Sequence, residues 1–170
     1  MAALNSQLNE RDTPTDYSKN DIKSIAKAIN VLLANAYALY LKTKNFHWHV
    51  GGRHFRDYHL LLDDQAQQIF ATTDVLAERV RKVGGTTLRS IGHISKLQTI
   101  KDNDEPYVSS SAMLCELMND NKVFAAAMRK AHKAVDEMGD VATASVLETF
   151  IDEAERRTWF LLETSEREAD

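Results

Sequence analysis

Apolar positions recur along this chain at alternating steps of three and four, the period that keeps one face of an α-helix dry. Ile22, Ile25, Ile29, Leu32, Ala36 and Leu39 make the first such run. Ser18-Lys19-Asn20-Asp21 precedes it in the form of a capping box, so a first helix begins near Ser18. A second helix is predicted from about His54 to Val83, with Leu62, Ala66, Ile69, Thr73, Leu76, Val80 and Val83 in the same rhythm. Gly84-Gly85 ends it, because glycine readily takes the left-handed conformation after a helix. A third spans about Ser111 to Met138 and stops at Gly139. Asp140 can cap a fourth, which turns Leu147, Phe150, Ala154, Thr158 and Leu161 inward. Residues 84–109 hold Gly92, Pro106, several Ser and Thr, and the short apolar run His93 to Leu97. They read as a long crossover with one short helix.

Two helix pairs joined by one long connection have the order of an all-α, ferritin-like four-helix bundle, since a plain up-down bundle needs only a short loop there. The expected division is a flexible N-terminal tail over 1–17, the bundle over 18–165 and a frayed end over 166–170. With 170 residues the chain is one domain, and only 6 Gly and 2 Pro argue against an all-β fold. Cys115 stands alone, which excludes an intrachain disulfide and suits a reducing, cytoplasmic compartment. Residues 1–20 lack the basic start and apolar run of a signal peptide. No stretch reads as apolar enough to span a bilayer, so no membrane partner is expected.

Five residues carry the candidate chemistry: His47, His59, Asp63, Asp74 and Glu78, at spacings of 12, 4, 11 and 4. Imidazoles and carboxylates suit iron(II) or zinc, and added carboxylate charge favours iron(III). The last four share an arc of roughly 100° on the second helix, centred roughly 120° from its apolar stripe. The ligand face is therefore not the face packed into the chain's own core. His59/Asp63 and Asp74/Glu78 are each i,i+4 pairs able to grip one ion. Asp63 and Asp74 nevertheless lie about 16 Å apart along the axis, far beyond metal bonds of about 2 Å. One helix cannot close the site. A second copy packed antiparallel about a two-fold axis near Gln68 and Ile69 brings each pair to the other pair of its partner. Phe70 and Ala71 lie on the same face, and His47 joins from the side. No Glu-x-x-His occurs in the chain, so the intrachain di-iron site of ferritin-like bundles is not expected.

The sequence resembles the Dps family, the mini-ferritins named for DNA protection during starvation. The resemblance rests on Asn45-Phe46-His47-Trp48, Gly52 through His59 to Asp63, Asp74 with Ala77-Glu78-Arg79, and Gly84-Gly85. Gly139 to Ala144 and Arg156-Arg157-Thr158-Trp159-Phe160 add to it, and the likeness covers about residues 20 to 165. It implies a dodecameric shell with a hollow interior and ferroxidase sites between two-fold partners. His47, His59 and Asp63 would come from one subunit, Asp74 and Glu78 from the other. Such proteins oxidise iron(II), usually with hydrogen peroxide in preference to oxygen, and store iron(III) as mineral; zinc can substitute at the site. Trp48 matches the tryptophan beside the family's site, where it intercepts stray oxidising equivalents; a core aromatic at a helix end is the competing reading. Asp136 and Asp140 fall where the family lines an iron pore, although Val141 and Ser145 replace acids found in some relatives. His49 is read as a solvated histidine.

DNA binding, with a nucleoid-associated location, is the alternative function and is not favoured. The net charge is −4, and neither end is basic: Arg11 and Lys19 face Glu10, Asp12 and Asp16, while Arg167 faces Glu163, Glu166, Glu168 and Asp170. Arg79, Arg81, Lys82, Arg89, Lys96 and Lys101 do form an acid-poor run until Asp102. Core packing is expected for Cys115, Met113, Met118 and Met128. His93 and His132 have no partner at metal-ligand spacing, and Trp159 is expected to pack the fourth helix or a subunit contact.

Overall fold

The computed structural model describes residues 13–165, which are helical apart from caps and links. The expected tail over 1–17 therefore lies largely outside the described residues, as does the expected fraying over 166–170. The helices are α1 (Lys19–His49), α2 (Phe55–Lys82), α3 (Ile91–Leu97), α4 (Ser110–Glu137) and α5 (Val141–Ser165). Ser18 caps α1, its hydroxyl accepting from Asp21 N at 3.2 Å and donating to Asp21 Oδ2 at 2.6 Å. Gly84 and Gly139 follow α2 and α4 with φ of 92° and 75°, the left-handed stop that glycine makes without strain.

Side-chain pairings fix the helix directions. Lys44 meets Asp63, Gln65 meets Arg157, and His132 meets Glu148. Each pair joins an early position on one helix to a late position on its neighbour, so α1/α2, α2/α5 and α4/α5 are antiparallel. It follows that α2 and α4 run the same way. The link between them must travel back along the bundle, which is why it is long and carries α3.

The core is the predicted stripe. Ile25, Ile29, Leu39, Leu62, Ile69, Leu76, Val80, Leu147, Ala154 and Leu161 are all buried. Three expectations are corrected. Arg157, and not Thr158, is the fully enclosed residue on that turn of α5, at 2 % exposure. Cys115 is exposed, whereas Met113 and Met128 are core. Finally, α1 is long and apolar enough to meet the length and composition of a membrane span, but 61 % of that 18-residue window is buried within the bundle. That burial is what a core helix shows, and it explains the hydropathy.

Asparagines on α1 hold the crossover. Buried Asn35 accepts from Thr99 N (2.7 Å) and Ile100 N (3.2 Å) and donates to Thr99 Oγ1 (2.9 Å). Asn30 donates to Thr86 O and Asn45 to Asn103 O. Lys42, almost fully buried, bridges Glu116 and Asp120 on α4. Burial disfavours its charge, but the two carboxylates outweigh that and raise its pKa.

Candidate metal centre

The end of α1 and the start of α2 are joined by only residues 50–54, so their last and first turns lie side by side. This hairpin places His47 against His59. Their rings stack with centroids 3.8 Å apart and planes 22° apart. His47 Nδ1 lies 2.8 Å from His59 O, and His59 Nδ1 lies 2.9 Å from His47 O. A carbonyl oxygen can only accept, so each Nδ1 carries the proton. Each Nε2 then keeps its lone pair, the arrangement by which a backbone contact fixes the tautomer of a metal-binding imidazole.

Asp63 is one turn beyond His59, and its Oδ1 lies 4.0 Å from His47 Nε2. Lys44 Nζ donates to Oδ1 at 2.8 Å and Gln67 Nε2 to Oδ2 at 3.0 Å. The Lys44 hydrogen bond, opposed only in part by desolvation, holds the Asp63 carboxyl below its ordinary pKa. His47 is buried, and His59 and Asp63 are half-buried. Asp74 and Glu78 are exposed further along α2. Glu78 pairs with Lys82 at 2.8 Å, and that hydrogen bond lowers its pKa.

Among the described residues, no three His, Cys, Asp or Glu side chains gather in one place to hold a metal. The chain puts His47 in contact with His59 and within 4.0 Å of Asp63, short of a three-residue cluster, and places Asp74 and Glu78 further along α2. Phe55, Leu60, Phe70 and Val75 are exposed apolar residues on the same helix. An open groove of about 870 Å³ lies on the other side of α1, and Trp48 and His49 line it while the five candidate ligands do not.

Trp48 is 59 % exposed, which overturns the core-aromatic reading, and Lys44 Nζ lies 5.9 Å from its ring. His49 is exposed and is the last residue of α1. Asp140 is fully buried as the cap of α5: it accepts from Thr143 N at 3.0 Å and is bonded to Thr143 Oγ1 and Arg79. This realises the predicted cap and removes Asp140 from the pore assignment, because its carboxylate has no free oxygen to offer an ion. Asp136 is exposed. His132, which has no partner at metal-ligand spacing in the sequence, pairs across helices with Glu148 at 3.1 Å. Trp159 is 57 % exposed and donates to Glu163 at 3.1 Å.

Lys44 was not singled out by sequence. Its position one turn before Trp48 on the hairpin helix was the available signal, and it was masked by the abundance of lysine on helix surfaces.

The fold and its histidine–carboxylate hairpin define a ferritin-like protein, and the family model for the ferritin-like domain matches residues 26–168. Within that class the chain belongs to the Dps family. It is 33 % identical to the DNA protection during starvation protein of Agrobacterium fabrum, over 86 % of this chain and 94 % of the relative. It is 31 % identical to a low temperature-induced protein of Nostoc, over 82 % of this chain and 78 % of the relative. The crystal structure of an archaeal Dps homologue from Halobacterium salinarum superposes with a TM-score of 0.85 at 29 % identity, covering 97 % of this chain and 95 % of that one.

Proposed function

We propose that this protein is a ferroxidase and iron store whose sites are completed between subunits. His47, His59 and Asp63 of one copy and Asp74 and Glu78 of a two-fold partner hold the iron(II) substrate, in a dodecameric shell that collects iron(III) mineral. The observation that carries this reading is the locked imidazole pair: two Nε2 lone pairs left free, one of them 4.0 Å from Asp63, with no complete ligand cluster among the described residues. A half-built site on an open face is what an isologous dimer would finish.

Each iron(II) gives one electron and hydrogen peroxide takes two, so peroxide consumes two ions and leaves water, not hydroxyl radical. Exposed Trp48, whose ring lies 5.9 Å from the Lys44 ammonium that holds Asp63, would intercept an oxidising equivalent that escapes this pairing. Oxygen serves as a slower oxidant, and zinc fits the same donors. The work is cytoplasmic protection against iron and peroxide together.

DNA compaction remains the unfavoured alternative. Of the six cations from Arg79 to Lys101, Arg79 is tied to Asp140, Lys82 to Glu78, and Arg81 to Gly85 O. A mobility shift at low salt should show little retention; strong retention that survives moderate salt would favour the alternative.

The function is tested by anaerobic iron(II) consumption on adding peroxide. The wild-type protein should outpace buffer, and Asp63→Ala should fall to the buffer rate. Equal rates for wild type and buffer would end the ferroxidase reading.

A further inference from the structure

Both oxygens of Asp63 are already engaged within the chain. Lys44 Nζ holds Oδ1 at 2.8 Å, the same oxygen that lies 4.0 Å from His47 Nε2, and Gln67 holds Oδ2 at 3.0 Å. Two donors on one ion, with bonds of about 2.1 Å and angles of about 90–110°, stand only about 3.0–3.4 Å apart. The 4.0 Å gap is wider, so Asp63 has to turn toward the imidazole to share an ion with it. An ion on Oδ1 would compete with the Lys44 ammonium for that oxygen, since two cations repel across it.

We propose that Lys44 is the resident counter-cation of the metal centre, and that a metal ion binds only by taking Asp63 away from it. The proposal rests on the metal-centre reading above. Lys44 thereby selects among cations. A hard ion such as magnesium offers only an oxygen bond and dehydrates reluctantly, so it has little to offset the lost ion pair. Iron(II) and zinc also gain His47 and His59, and those bonds offset it.

Shelter makes this pair effective. The Lys44 and Asp63 side chains are 17 % and 36 % exposed, against 59 % and 57 % for Lys82 and Glu78. Water and salt screen the second pair and leave it little to contribute. The displaced ammonium has a place to go, since the face of Trp48 is 5.9 Å away and attracts cations.

The test is calorimetric titration of the assembled protein with zinc, which has no redox chemistry, with and without millimolar magnesium. Lys44→Met keeps the apolar stem and removes the charge; Lys44→Arg keeps the charge; Lys44→Gln is the substitute if the Met variant does not fold. The expected result is zinc binding about tenfold tighter in Lys44→Met or Lys44→Gln, the scale of one sheltered ion pair. Lys44→Arg should stay near wild type, and magnesium should compete only with the neutral variants. Unchanged or weaker zinc binding in the neutral variants overturns the proposal, as does tightening in Lys44→Arg, which would make packing the cause. In those cases zinc binding that is lost in Asp63→Ala keeps the metal-centre reading standing. No zinc binding sensitive to Asp63→Ala, in wild type and neutral variants alike, would bring both down.

Discussion

His59 does three things at once: it stacks on His47, donates to the His47 carbonyl, and keeps its own Nε2 free for a metal. Removing it unlocks its neighbour as well as deleting a donor. His59→Ala should therefore reduce peroxide-driven iron(II) oxidation to the buffer rate, whereas His49→Ala should leave the rate within about twofold, a difference too small to indicate a lost ligand. Arg157 is the residue whose burial is hardest to explain. Burial drives its pKa down to about 10, its Nε donates to Asn121 Oδ1 at 2.8 Å, and its Nη1 has no partner among the described residues. An incompletely paired buried cation contributes little net stability, while a cavity in its place costs more. Arg157→Met should change unfolding stability by no more than about 1–2 kcal/mol, and Arg157→Ala should cost about 3 kcal/mol. Thermal unfolding of the two variants would compare them directly. Periodicity places both 157 and 158 near the stripe, and hydrophobicity alone chooses threonine. The Asn121 side chain on the facing α4 is what accepts from the guanidinium inside, and that partner cannot be read from one helix. Cys115 departs from expectation for the opposite reason: cysteine is usually buried, but it sits on the exposed side of a turn whose Leu114 and Leu117 fill the core.

Helix pairing depends on a few close or polar contacts between elements. Gly85 is one: a Cβ built there would lie 2.7 Å from Ala26 Cβ and 3.1 Å from Val80 Cγ1. Gly85→Ala should force α1 and the end of α2 apart and cost about 1–3 kcal/mol, read from the unfolding midpoint. Asp140 joins α2 to α5. Burial raises its pKa, but the Thr143 hydroxyl and amide and the Arg79 guanidinium outweigh burial and hold it below 3.8. A carboxyl depressed in the folded state stabilises the protein above its ordinary pKa and loses that contribution as pH falls through the folded value. Asp140→Ala should thus lower stability by about 2–3 kcal/mol near neutrality, through the lost cap and the orphaned arginine. The gap to wild type should narrow below about pH 4. Persistence of the full gap at pH 2 would contradict the assignment. Helix order, caps and the glycine stops were legible because they are local signals. The asparagines that tie α1 to the crossover were not, since Asn30, Asn35 and Asn45 gain meaning only from the loop atoms opposite them.

At the scale of the whole molecule, the five-residue spacing already implied that one chain holds an incomplete site. The hairpin explains how His47 reaches His59 across twelve residues, and the length of α2 explains why Asp74 and Glu78 do not join them. The locked tautomers and the Lys44 counter-ion needed atomic positions, because carbonyl directions and lysine reach are invisible in spacing. Pairing of two chains is the central claim. It is tested most directly by mixing His59→Ala with Glu78→Ala protein after dissociation and reassembly, then measuring iron(II) oxidation with peroxide. In a hybrid dimer one of the two sites keeps every ligand, so a mixture of two inactive variants should recover up to about a quarter of the wild-type rate when exchange is random. Inactivity that persists despite demonstrated subunit exchange would contradict the shared site.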